Sequence, residues 1–197
     1  MRKKSSHSSG PSVHNVIGGG ETATSTDGKT WTTHDYNDLH LPYPYDLHAI
    51  TWSKDLKLFV AVGGAGSYDF IGTSSNGRSW VKQHPPVSHG LSGIAWSGSQ
   101  FVAVGGNTIL TSSDGRNWVE QGVDVADPDT LYGVTSSGSQ FVAVGVTPES
   151  SGIILTSYDR KTWVKQNSPS SSDLTGVAWS GSQFVAVGLG GTILTWP

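Results

Sequence analysis

The sequence predicts an all-β protein, a β-propeller of four-stranded blades. Three observations carry that prediction. The string GSQFVAVG occurs at 98–105, 138–145 and 181–188, inside a longer unit that returns every 40–44 residues, the period of a propeller blade. Short β-branched runs alternate with Gly-Ser and Asp-Gly pairs, which are hairpin signals. No stretch shows a helical apolar period with caps. Gly (26 residues) and Trp (8) are abundant against a single Met, which suits short strands joined by tight turns and anchored by aromatic rings.

Five units follow a flexible tail at 1–13, and 14–197 reads as one domain. The units lie at about 14–35, 47–83, 91–121, 131–166 and 174–197. In the third, strand A is LSGIAW (91–96), strand B is FVAVG (101–105), strand C is TILTS (108–112) and strand D begins at Trp118. One such sheet cannot bury both faces alone, so blades stack radially and cover one another. Strand A starts at 47, 91, 131 and 174; the first unit offers only B-C-D and the last only A-B-C. Five blades are the favoured count, the first lacking A and the last lacking D, with N- and C-terminal strands closing the ring. A four-bladed ring, with C-terminal A-B paired to N-terminal C-D, is the alternative. A ring completed by a second copy or by further chain is a third. Ser136 stands where the other units have Trp52, Trp96 and Trp179, which predicts a packing defect or a solvent-facing notch.

The C–D turns are TSTDGKTW (24–31), TSSNGRSW (73–80), TSSDGRNW (111–118) and TSYDRKTW (156–163). They resemble the Asp-box, or BNR, repeat of sialidase-like propellers. The matching residues are Ser25, Asp27 and Trp31; Ser74 and Trp80; Ser112, Asp114 and Trp118; Ser157, Asp159 and Trp163. These boxes are one residue shorter between Asp and Trp than the common form. Asn76 replaces Asp in one, and Arg160 replaces Gly in another. The longer unit resembles repeats of bacterial propellers of unassigned role. The resemblance implies the propeller fold, a secreted or cell-surface setting, and a binding face opposite the boxes. The box carboxylates read as structural, because Asp and Asn at turns accept hydrogen bonds from nearby backbone N–H groups. The box Trp residues, and Trp52, Trp96 and Trp179, read as core or inter-blade packing.

Several functions are excluded. Charged residues are 14% with net charge −3, so nucleic acid has no electrostatic footprint to bind. There is no cysteine, hence no disulfide framework, thiolate zinc site or Cys nucleophile. No run of about 18 apolar residues marks a membrane span, and no apolar stretch follows the basic start to make an export signal. A sialidase needs an arginine clamp for a carboxylate. Of the four arginines, Arg2 is in the tail and Arg78, Arg116 and Arg160 sit in the boxes, so no clamp can form. Glycoside hydrolysis needs two carboxyl groups across a cleft. The least implausible pair is Asp69 with Glu149, both placed in B–C loops. Asp124, Asp127 and Asp129 lack the EF-hand spacing, and His34, His40 and His48 lack zinc spacing. No metal and no cofactor is expected.

The units also show where they differ. The A–B turn SGSQ and the C–D turns are uniform, and they share one face of the disc. The D–A and B–C connections on the other face differ in every unit, and function usually sits on variable loops of a rigid scaffold. The longest D–A connection holds Tyr36, His40, Tyr43, Tyr45 and His48, and tyrosine supplies rigid amphipathic contact area for protein or sugar. Tyr68, Asp69 and Glu149 join them from the B–C connections. The second position of strand A varies as His48, Ser92, Tyr132 and Thr175, which should rim the channel mouth. The reading is a non-enzymatic binding or scaffold propeller for a glycan or protein, free to form oligomers. A sialidase-type glycoside hydrolase and a partial propeller finished by a partner, a second copy or a larger protein are the alternatives.

Overall fold

A computed structural model describes residues 14–18, 21–34, 46–65, 68–86, 90–122 and 129–197. The tail at 1–13 lies outside the described residues. Five antiparallel sheets follow the five units. The first holds β1 (His14–Gly18), β2 (Glu21–Ser25) and β3 (Thr32–His34). The second holds β4 (Asp46–Ser53), β5 (Leu58–Ala65), β6 (Tyr68–Ser74) and β7 (Val81–Gln83). The third holds β8 (Gly93–Trp96), β9 (Phe101–Gly105), β10 (Thr108–Ser112) and β11 (Val119–Gln121). The fourth holds β12 (Thr130–Ser136), β13 (Phe141–Val146), β14 (Gly152–Ser157) and β15 (Val164–Gln166). The fifth holds β16 (Leu174–Trp179), β17 (Phe184–Gly188) and β18 (Ile193–Trp196). The fold is an all-β propeller. The terminal sheets are three-stranded, and the N- and C-terminal strands lie in separate sheets.

The repeated string FVAVG works by alternation, since successive side chains of a strand point to opposite faces. Val102 and Val104 of β9, with Ile109, face the fourth sheet and meet Phe141, Ala143, Leu155 and Trp163. Phe101, Ala103, Leu110 and Trp118 face the other way and meet Val60, Val62 and Ile71 of the second sheet. The same exchange joins the fourth sheet to the fifth, through Val142, Val144 and Ile154 against Phe184, Ala186 and Leu194. The third and fourth blades therefore each show a valine-isoleucine face to one neighbour and a Phe-Ala-Trp face to the other.

The strand-A tryptophans lie over the strand-B phenylalanines. Ring centroids are 4.3 Å apart for Trp52–Phe59, 4.2 Å for Trp96–Phe101 and 4.4 Å for Trp179–Phe184. Trp52 departs from the expected packing role, because its outer side is open to solvent. At the Ser136 position no ring covers Phe141 from strand A. The Ser136 hydroxyl instead donates to the Gln140 carbonyl and accepts from the Gly138 N–H. Phe141 stays buried against Trp163, with centroids 6.4 Å apart. The position is thus a half-exposed polar notch.

Candidate functional site

The C–D turns share one hydrogen-bond pattern. In the first, the Ser25 hydroxyl donates to Asp27 Oδ1 at 2.9 Å and accepts from the Gly28 N–H at 2.9 Å. Asp27 Oδ1 also accepts from the N–H groups of Lys29 and Thr30 at 2.8 and 2.7 Å. Ser74–Asn76, Ser112–Asp114 and Ser157–Asp159 repeat it. Asn76 serves as well as an aspartate because the turn uses an acceptor oxygen. The Trp80 and Trp118 rings close their turns by donating Nε1–H to the carbonyls of Gly77 and Gly115. Trp163 Nε1 is buried and lacks that partner, in the turn where Arg160 replaces glycine.

The glycines of three turns have φ of 70°, 74° and 73°, and Arg160 adopts 68° in the same slot. A side chain there is strained by its Cβ. Arg160→Gly should raise stability by about 0.5–1 kcal/mol, the relieved strain being partly offset by a more flexible unfolded chain. Thermal unfolding should move up by about 2–4 °C per kcal/mol; an unchanged or lower midpoint contradicts the strain.

The turns also set an acid response. N–H groups of Thr30 and Lys29, then the Ser25 hydroxyl, hold the Asp27 carboxyl far below its ordinary value of 3.8. Thr162 and Lys161 do the same for Asp159. At Asp114, burial pushes upward, but bonds from Asn117, Arg116 and Ser112 outweigh it and the carboxyl is again lowered. A carboxyl lowered in the folded state stabilises above its unfolded value, and that stability is lost as pH falls toward the folded value. These three groups should therefore contribute fully above about pH 5 and lose their contribution progressively below about pH 4. Chemical denaturation of the triple Asp27→Asn, Asp114→Asn, Asp159→Asn variant should show a flatter acid limb. An equally steep limb would place the acid sensitivity elsewhere.

The opposite end of each blade carries the variable residues. In β4, β12 and β16 the pairing register shifts between Leu47 and Ala49, Leu131 and Gly133, and Leu174 and Gly176. The skipped residues are His48, Tyr132 and Thr175. In the third blade Ser92 holds the matching place, donating its N–H to the Val104 carbonyl. A β-bulge releases a residue from the ladder and re-aims its side chain. The position that varies most among the inner strands is thus the bulge position in three blades, and Ser92 takes the matching place in the other. These four residues are exposed or half-exposed, and the inner strands β4, β8, β12 and β16 stand side by side. His48 Nδ1 donates to the Leu91 carbonyl at 2.8 Å, tying the second blade to the third; a carbonyl can only accept, so Nδ1 carries the proton.

Tyr36, His40, Tyr43 and Tyr45 lie outside the described residues, as do Asp124 and Asp127. Tyr68 opens β6. Asp69 was expected in a loop but is strand, paired with Gly64 and buried, because the β5–β6 hairpin runs on past its expected end. Glu149 is exposed in the tight 147–151 turn of the fourth blade, with the whole third blade between it and Asp69. Asp129 is buried at the foot of β12, and Lys165 Nζ reaches its Oδ2 at 3.6 Å. Sequence reading missed that pair, whose members are 36 positions apart (165 − 129). Among the described residues no three His, Cys, Asp or Glu side chains group as metal ligands, and no helix is long and apolar enough to cross a membrane.

No family model matches the chain, and no curated protein matches it in sequence. Solved structures do resemble it in shape. A chain of a nidogen/laminin complex superposes with a TM-score of 0.61 at 14% identity, over 88% of this chain and 69% of that one. The Cps50 (Swd1) β-propeller domain of Myceliophteria thermophila gives 0.51 at 12% identity, over 76% and 51%. A chain of the mitotic checkpoint complex gives 0.57 at 13%, over 90% and 58%. This chain spans between about half and two thirds of these neighbours' lengths. At such identities the likeness is one of fold, and that fold is the β-propeller.

Proposed function

We propose that this propeller is a non-enzymatic scaffold that binds a protein through the face carrying the bulge residues. The observation that supports it most directly is the coincidence of variation and display. One face repeats the same turn four times, while the other presents a different side chain at the second position of each inner strand: His48, Ser92, Tyr132, Thr175. A rigid sheet presenting varied, partly exposed groups is the arrangement on which recognition is built. Tyr132 offers an aromatic anchor of the kind that dominates protein interfaces. Two of the similar structures are assemblies of several proteins, which agrees with a binding role. The Asp-box resemblance of the turns suits the same division of faces.

Affinity capture from the native source tests this with two variants. Tyr132→Ala with His48→Ala should lose the captured protein. Ser99→Ala with Ser139→Ala, on the uniform turns, should keep it. Equal capture by both sinks the assignment of the face. Binding on a glycan array that is lost in the Tyr132 and His48 variant would replace the protein partner by a sugar. Turnover of a glycoside panel, abolished by Glu149→Gln, would replace binding by catalysis.

A further inference from the structure

The blades are built to cover one another, and on the fifth blade the matching face is open. Val62 and Ile71, Val104 and Ile109, and Val144 and Ile154 form the valine-isoleucine faces of the second, third and fourth blades, and none is more than 5% exposed. The fifth blade has the same pair in the same register, Val187 opposite Ile193. Here they are 45% and 68% exposed. The C–D turn tryptophan of the first blade is open as well. Trp31 is 40% exposed, whereas Trp80, Trp118 and Trp163, its counterparts, are 6–8% exposed.

At the junctions from the second blade to the fifth, strand A of the next blade takes part in the cover: Leu91 and Ile94 lie with Val60, Val62 and Ile71, Leu131 and Val134 with Val102, Val104 and Ile109, and Leu174 and Val177 with Val142, Val144 and Ile154. Among the described residues the first sheet has no strand A and the fifth no strand D. One D–A stretch contains both of these missing strands. Two further features mark its place. In three blades a strand-D glutamine donates Nε2–H to a strand-C threonine: Gln83 to Thr73, Gln121 to Thr111, Gln166 to Thr156. Thr195 of β18 is the equivalent threonine and has no strand D beside it. A cavity of about 470 Å³ runs along that edge, lined by Ile154, Thr156, Gln166, Leu194, Thr195 and Trp196. Trp196 itself lies against Phe184, with centroids 5.8 Å apart, where the other blades place their C–D turn tryptophan. The slot therefore needs the strand after that tryptophan.

We propose that this face and edge of the fifth blade are a docking site for an extended segment of a partner protein that carries the repeat's own D–A pattern, Val-x-Gln followed by Leu-x-Gly-Val-Ala-Trp. Its first strand adds to the edge of β18, the strand-addition mode of recognition. Its second covers Val187 and Ile193. The N-terminal tail does not fit the part. Counting back from His14 by the repeat's spacing puts residues 4–9, KSSHSS, at the strand-A position, without one apolar side chain. A second copy fits poorly too, because its described strands D and A are already paired in its own sheets.

The test uses a synthetic peptide with the sequence of residues 164–179, VKQNSPSSSDLTGVAW, titrated into the full chain by calorimetry and by Trp fluorescence. It should bind one to one and raise the unfolding temperature. Ile193→Glu should weaken it by about tenfold or more, since one buried isoleucine carries at least that much affinity. The substitution sits at an exposed position, so the variant should fold, which its unchanged unfolding midpoint without peptide would show. Thr195→Val should weaken binding by a smaller factor. A shuffled peptide binding as tightly, or equal binding to Ile193→Glu, overturns the proposal. So does a dimeric mass in solution that the peptide does not disturb, which would make a second copy the occupant.

Discussion

Phe141→Ala is expected to destabilise the protein by about 3–5 kcal/mol, the cost of emptying a fully packed aromatic site. Phe141 is 1% exposed and packs with Val102, Val104 and Ile109 of the preceding blade and with Trp163 of its own. It therefore belongs to a core shared by two sheets. A domain holds about 5–15 kcal/mol in all, so the loss is a large share of the total. Urea unfolding should show a lower midpoint at unchanged slope. Phe141 is also the informative member of its set. Phe59, Phe101 and Phe184 each lie under a strand-A tryptophan, while Phe141 has Ser136 in that place. If Phe141→Ala cost under about 1 kcal/mol, the core would be held by the valines and not by the ring.

That core was legible because the chain supplies its own comparison. Three copies of FVAVG, read with period two, place Phe and Ala on one face and the valines on the other, as observed. Trp31 shows the limit. Its turn, TSTDGKTW, matches the other three, and the hydrogen bonds of Ser25 and Asp27 match theirs too. Its exposure depends on what stands beside the first blade, and a local string carries no information about a neighbour. The bulges are another case. Variation at His48, Ser92, Tyr132 and Thr175 was visible, but alternation of apolar residues does not reveal an extra residue in one strand of a pair. Asp69 was misplaced for a related reason. Gly-Ala-Gly-Ser reads as loop, yet the ladder runs on to Ala65 and Tyr68. The Tyr36–Tyr45 stretch, which sequence singled out most strongly, lies outside the described residues, so the candidate site rests on His48 and Tyr132.

Gly145→Ala is the second large effect, expected at about 3 kcal/mol or more because the added atom meets backbone and not a movable side chain. A Cβ on Gly145 would fall 1.9 Å from the Thr130 carbonyl oxygen. The final glycine of FVAVG is thus explained by the strand beside it. Gly63, Gly105 and Gly188 make the same approach to the carbonyls of Asp46, Gly90 and Asp173, at 1.9, 2.2 and 2.2 Å. Each of those carbonyls precedes the buried leucine that opens strand A, and the bulge residue follows that leucine. The missing side chain lets the inner strand lie close enough for Leu131 to be fully buried, and it sets the point from which Tyr132 leaves the ladder. The substitution should therefore act twice. It should lower the unfolding midpoint, and it should shift the Tyr132 ring, read as a change in tyrosine fluorescence before unfolding begins. Gly122→Ala is the control. No atom lies within 4 Å of its would-be Cβ, so it should be neutral or stabilise by up to about 1 kcal/mol through the unfolded chain. Equal effects at the two positions would mean that glycine content, and not the approach of strand A, explains the repeated letter.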